Sequence, residues 1–108
     1  MTLKPVVPRA KARADVDSAV EYYANEAGAD VAFRFINALE QTYTLIGERP
    51  ATGSLRWSHE LNLPGFRTIR LKGFPWLVFY LEFETHIDVW RVLHAKRDMP
   101  AGLSDAND

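Results

Sequence analysis

Apolar residues along this chain recur with two different periods. From Pro8 onward, Ala12, Val16, Ala19, Val20, Tyr23 and Ala27 return every three or four positions, the spacing that lines one face of a helix. Gly28 follows, a residue suited to the left-handed conformation in which helices commonly end. A second helical stripe begins almost at once, through Ala32, Phe35, Ile36, Leu39, Tyr43 and Ile46. "GERPATG" at 47–53 stops it, because Pro50 cannot continue a helix and Gly53 permits a sharp turn. Two helices joined by so short a turn predict an antiparallel hairpin.

Beyond position 53 the period becomes that of strands. "SLRWSHELNLPG" at 54–65 reads as a loop. Three β-type runs follow: "FRTIRL" at 66–71, "PWLVFYLEF" at 75–83 and "HIDVWRVLH" at 86–94. Their separators, "KGF" and "ET", are short enough to require antiparallel hairpins, so the three runs predict a meander. "LKPVV" at 3–7 reads as a short first strand, with Pro5 tolerable at an edge or a strand start. The expected fold is α+β, in the order β-α-α-β-β-β, with the helical hairpin on one face of a small antiparallel sheet. Residues 1–100 form this single domain, and the polar segment 101–108 reads as a flexible tail.

Strand alternation sharpens the picture. Ile69 and Leu71 fall on one sheet face, and Thr68, Arg70 and Lys72 on the other, which is expected to be open and partly basic. The middle strand is apolar at nearly every position from Trp76 to Leu81, more than a half-solvated sheet requires, which points to a cover over the second face. Tyr22 and Tyr23 diverge by about 100° on a helix, so one is core while the other lines an outer groove.

A length of 108 residues suits one core and one site, with no room for a separate cofactor domain. No cysteine is present, which removes disulfides, thiolate metal sites and thiol nucleophiles and favours the cytoplasm. No segment has the length of a signal-peptide core, and none reaches the ~18 apolar residues of a membrane span. His59, His86 and His94 lack ligand-like spacing, so neither a metal nor a cofactor is expected. The net charge of −1 is unevenly divided: residues 56–97 carry seven Lys/Arg against four Asp/Glu. Such a patch can steer an acidic partner, while the near-neutral total argues against sequence-specific nucleic-acid binding.

The basic excess sits with "RVLHAKRD" at 91–98, which poses the functional question. RNA cleavage through a 2′-hydroxyl needs a base, an acid and cations at the phosphate, and Arg91, His94 and Arg97 with Glu60 or Tyr80 are residues of those types. The same residues have structural uses. Arg91 can pair with Asp98, Glu82 or Glu84, His94 can hold a nearby backbone group, and Arg97 with Asp98 can close a turn. Arg67, Arg70 and Lys72 serve equally as a solvated sheet edge or as a docking surface.

The ordered set "ADVDSAVEYY", "RPATG", "LPGFRTIRL", "GFPWLVFYLEF" and "VWRVLHAKRD" resembles the ParE toxins of the RelE/ParE superfamily, the plasmid stabilisation system toxins, over about residues 6 to 100. The resemblance implies the toxin of a type II toxin-antitoxin module, neutralised by a cognate ParD-like antitoxin and acting on DNA gyrase. RelE relatives instead cut messenger RNA on the ribosome, and one fold serves both outcomes. This chain lacks the strongly basic sheet face and the C-terminal tyrosine of RelE-like nucleases, which favours the gyrase reading. Ribosome-dependent RNA cleavage and a non-toxic antitoxin-binding remnant are the alternatives. With no catalytic residue assigned, the expected target-binding set is Arg67, Arg70, Lys72, Arg91, His94 and Arg97. The expected antitoxin-binding set is Tyr22, Tyr23, Trp76 and Tyr80, in an apolar groove left open for an amphipathic antitoxin helix.

Overall fold

The computed structural model describes residues 3–99; the expected tail at 101–108 lies outside the described residues. The chain runs β1 (Val6–Pro8), α1 (Ala10–Glu26), α2 (Ala29–Glu48), a single 3₁₀ turn (Pro50–Thr52), α3 (Arg56–Glu60), β2 (Phe66–Arg70), β3 (Trp76–Glu82) and β4 (Ile87–His94). The sheet order is β1-β4-β3-β2. β1 lies parallel to β4, pairing Val6 with Ile87 and Pro8 with Val89, while β4, β3 and β2 form the antiparallel meander.

Ala27 and Gly28 alone connect α1 to α2, and Gly28 takes φ +93°, a conformation that glycine adopts without a Cβ clash. The two helices therefore fold back on each other and lie on the same sheet face. There Ala12, Ala19, Phe35, Leu39 and Ile46 are buried with Leu71, Trp76, Val78, Tyr80, Ile87, Val89 and Val92. Val16, Val20, Tyr23 and Tyr43 pack around them, as the helical spacing predicts. Ile36 departs from that prediction. The buried positions of α2 are Ala32, Phe35, Ala38, Leu39, Thr42, Ile46 and Gly47, which leaves Ile36 half-buried on the flank of the stripe.

The second sheet face also differs from the expectation of an open, basic surface. Phe66, Phe79, Trp90 and Leu93 form a second apolar cluster there, with Trp57, Leu61, Leu63 and Met99 packed against it. The segment expected to be a loop contains α3, and Trp57 and Leu61, four residues apart, turn the same way onto the sheet. Leu63 then donates its N–H to the Ser58 carbonyl at 2.9 Å and returns the Ser58 hydroxyl's hydrogen bond through its own carbonyl, also at 2.9 Å. Both faces of β3 are thus covered along most of its length, which accounts for its unbroken apolar run.

A register shift between Phe79 and Tyr80 sets Phe79 opposite Arg91 and Tyr80 opposite Val89, leaving Trp90 as an extra residue on β4. Such a bulge re-aims side chains without ending the strand. Trp90 thereby joins the second cluster, and Val89 and Val92 both remain in the first.

Candidate functional site

The candidate residues separate into four places. Among the described residues, the outer edge of β4 beyond Val89 has no strand beside it, because β1 pairs only with Ile87–Val89. Asp15 of α1 fills that role. Its carboxylate accepts hydrogen bonds from Arg91 Nε and Nη2, both at 2.8 Å, and from the Val92 N–H at 3.0 Å. The side chains of Arg91 and Asp15 are only 13% and 14% exposed, so the pair is a clasp between helix and strand edge. Arg91 therefore pairs with Asp15 rather than with Asp98, Glu82 or Glu84.

Arg67 and Tyr80 meet at the 3₁₀ turn. The fully buried Tyr80 hydroxyl donates to the Pro50 carbonyl at 2.7 Å and accepts the Gly53 N–H at 2.9 Å. Arg67 donates to the carbonyls of Ala51, at 3.2 Å, and Gly53, at 2.8 Å. Burial raises the Tyr80 pKa against the opposing pull of the Gly53 N–H and the Arg67 cation. Gly53 is extended, with φ −69°, so its importance is closeness rather than a sharp turn. A Cβ there would lie 2.5 Å from the Tyr80 hydroxyl oxygen.

A third group gathers at the end of β4. Trp76 Nε1 donates to the Tyr23 hydroxyl at 2.9 Å, the His94 ring meets Trp76 edge-on with centroids 5.3 Å apart, and Tyr22 stands edge-on to Tyr23. The Arg97 guanidinium lies 5.4 Å from the Trp76 ring centre and 5.7 Å from that of Tyr22, within range of a cation–π attraction. His94 Nδ1 accepts the backbone N–H groups of Lys96 and Arg97 at 3.2 and 3.1 Å, so that nitrogen is engaged in closing the turn. Asp98 completes it by accepting the His94 N–H at 2.8 Å and Arg97 Nε at 3.2 Å. Burial works to raise the Asp98 pKa, but the His94 N–H and Arg97 outweigh it and hold the carboxyl below its ordinary value.

Trp76 and Tyr80 are buried, so neither presents the partner-facing surface expected of them. Their strand is sandwiched between the helical hairpin and α3. Tyr22, 49% exposed, and Arg97, with 54% of its side chain exposed, form the accessible part of the cluster. Arg70 and Lys72 stand apart on the exposed surface near the β2–β3 turn. Two features went unread in the sequence. Asp15 carries no local signal of its distant role, whereas Trp57 and Leu61 show a spacing of four that could have revealed α3.

Among the described residues, no group of three or more His, Cys, Asp or Glu could hold a metal ion, and no helix is long and apolar enough to cross a membrane. A largely apolar cavity of about 230 Å³ lies among Pro8, Arg13, Val16, Asp17, Leu39 and Tyr43. The Tyr43 hydroxyl is buried without a hydrogen-bond partner among the described residues, and its pKa is pushed up to about 12 by burial and then by the Asp15 charge.

Against this geometry, the family model for the ParE toxin of the type II toxin-antitoxin system, parDE, matches residues 6–99. The chain belongs to the ParE toxin family. Among solved structures, this ParE-family chain is similar to one described as the chromosomal ParDE TA system from P. aeruginosa, with a TM-score of 0.71 and 20% identity. That match covers 87% of this chain and 98% of the other, and at such identity it speaks for the fold alone. No curated protein matches the chain.

Proposed function

We propose that this ParE-family chain is the toxin of a cytoplasmic type II module, held by a cognate ParD-like antitoxin and acting on DNA gyrase by binding rather than by bond cleavage. The observation that carries the reading is that Tyr80 and Arg91, two of the groups a nuclease could use, and one ring nitrogen of His94 are committed within the fold. Tyr80 is saturated between Pro50 and Gly53, Arg91 is clasped by Asp15, and His94 Nδ1 holds two backbone N–H groups. A general base must reach the proton it removes, and a phosphate clamp must present free donors. A binding toxin needs only a stable outer surface, here the exposed parts of Arg70, Lys72, Arg97 and Tyr22.

The test is induction of the chain alone, with a gyrase supercoiling and cleavage assay run beside a ribosome-dependent messenger-RNA cleavage assay. Stalled gyrase cleavage complexes and intact messages are expected. If His94 were a general acid or base, His94→Ala would lower a cleavage rate by roughly 10²- to 10⁴-fold with folding intact. Specific messenger cuts that vanish in His94→Ala would establish the RelE-type reaction instead.

A further inference from the structure

Among the described residues, no element covers the outward face of α2. Its exposed positions between Phe33 and Thr44 are Phe33, Arg34, Asn37, Glu40, Gln41 and Thr44, which recur every three or four residues and so form one stripe. Phe33, 64% exposed, is the most exposed large apolar side chain among the described residues. Further along the stripe, Asn37, Glu40, Gln41 and Thr44 line an open hollow of about 390 Å³. Their spacing, i, i+3, i+4 and i+7, is that of the four-residue hole that receives one side chain of a facing helix in knobs-into-holes packing.

One face of the helix therefore carries both a knob and a hole, and a second copy of the chain satisfies each with the other. The centre of the hollow lies between Glu40 and Gln41. An antiparallel pair of α2 helices that seats one copy's Phe33 there has its twofold axis beside Asn37, midway between knob and hole. In that register Arg34 faces Glu40 of the second copy, twice by symmetry, and Asn37 faces its own equivalent, where an amide both donates and accepts. A parallel pair in register would set Arg34 against Arg34 and Glu40 against Glu40. Neither Arg34 nor Glu40 enters an ion pair within the chain among the described residues, so both charges are available.

We propose that the exposed stripe of α2 is a self-association surface, on which a second copy of this chain docks antiparallel, with Phe33 in the other copy's four-residue hollow and Arg34 paired to its Glu40. Charge complementarity selects this occupant. Arg34 and Glu40 lie three residues to either side of Asn37, so the stripe attracts its own copy in one orientation and repels it in the other. A single pair of helices falls at the small end of specific protein interfaces, so the dimer is weak, with a Kd on the order of 10–100 μM. Self-association of this kind does not depend on the toxin reading.

Sedimentation equilibrium of the purified chain over a range of concentrations tests this. The wild type should dimerise, and Phe33→Ala, which empties the hollow, should weaken the dimer by about tenfold or more. Arg34→Glu and Glu40→Arg each set like charges face to face and should likewise lose about tenfold or more. Mixed together, these two variants should associate again, because every charged contact of the mixed pair joins opposite signs. Arg34→Glu/Glu40→Arg alone should regain the wild-type affinity. Arg56→Glu, which changes the net charge as Arg34→Glu does but on α3, should leave it unaltered. All four positions are exposed, so unfolding midpoints should match the wild type's. A wild type that stays monomeric up to ~1 mM overturns the proposal. A dimer undiminished by Phe33→Ala and Arg34→Glu overturns it too, by placing the contact elsewhere, and so does a mixture of the two charge variants that remains monomeric.

Discussion

Asp15→Ala should loosen the fold more than any other single substitution of an exposed-helix carboxylate. The carboxylate receives three hydrogen bonds, two from the Arg91 guanidinium and one from the Val92 N–H. Removing it takes two hydrogen bonds from a cation that is only 13% exposed and leaves the Val92 N–H without its acceptor. Breaking a fully buried pair by deleting one partner costs about 3–5 kcal/mol, and partial solvent access at this edge lowers the expectation to about 2–4 kcal/mol. Against a domain stability of roughly 5–15 kcal/mol, that is a large fraction. Asp15→Asn retains an acceptor for Val92 and should cost about 1–2 kcal/mol.

Urea unfolding followed by tryptophan fluorescence measures these losses, since Trp76 and Trp90 lie in the two clusters that Arg91's strand holds together. Arg91→Met should destabilise to a similar degree, and the double variant should reveal a coupling of about 1–3 kcal/mol. On the proposed toxin reading, toxicity should then follow the folded fraction in all four variants. An Asp15→Ala cost below ~1 kcal/mol would refute the clasp. So would an Arg91→Met variant that loses toxicity with its unfolding midpoint unchanged, because Arg91 would then be a target contact.

Three further outcomes follow from the packing. Gly53→Ala places a Cβ against the immobile Tyr80 hydroxyl and should cost about 1–3 kcal/mol in urea unfolding, and Tyr80→Phe should cost a similar amount by orphaning Gly53 N–H and the Pro50 carbonyl. Phe35→Ala should cost about 3–5 kcal/mol, while Ile36→Ala on the flank of the same helix should cost about 1 kcal/mol, and equal values would misplace the stripe. Tyr43 titrates near 10.0 when unfolded and at about 12 when folded, so only the unfolded state releases the proton between those values and stability falls as pH rises through that window. The loss should approach roughly 3 kcal/mol above it, and Tyr43→Phe should remove that share while leaving stability at neutral pH nearly unchanged or slightly higher.

The order of elements was legible because the period of apolar residues switches from helical to alternating at one place, and the short separators leave the meander no other topology. Legibility ended where a residue's environment is set by distant chain. Ile36 shares the stripe's spacing with Phe35, and only the packing of α2 on the sheet decides which of the two faces inward. The apolar excess of β3 correctly announced a second cover. The same excess suggests an open groove with Trp76 and Tyr80 at its surface, whereas α3 supplies the cover from within the chain and both residues are buried. The bulge at Trp90 leaves no trace in a pattern that is apolar on both sides of it.

The same separation changes what the basic segment can do. Of its cations, Arg67 and Arg91 are bound to this chain's own acceptors and Arg97 is shared between Asp98 and two aromatic rings. Charge already neutralised within the fold contributes little to steering, so the field available to a target shrinks toward Arg56, Arg70, Lys72 and Lys96. Arg70, the last residue of β2, and Lys72 are both exposed at the β2–β3 turn. On the proposed toxin reading, Arg70→Glu and Lys72→Glu should each weaken gyrase inhibition with unfolding midpoints unchanged, because each reverses a charge that steers the encounter. The supercoiling assay on the two purified variants measures this, and inhibition unaltered in both would show that the target does not read this edge of the sheet.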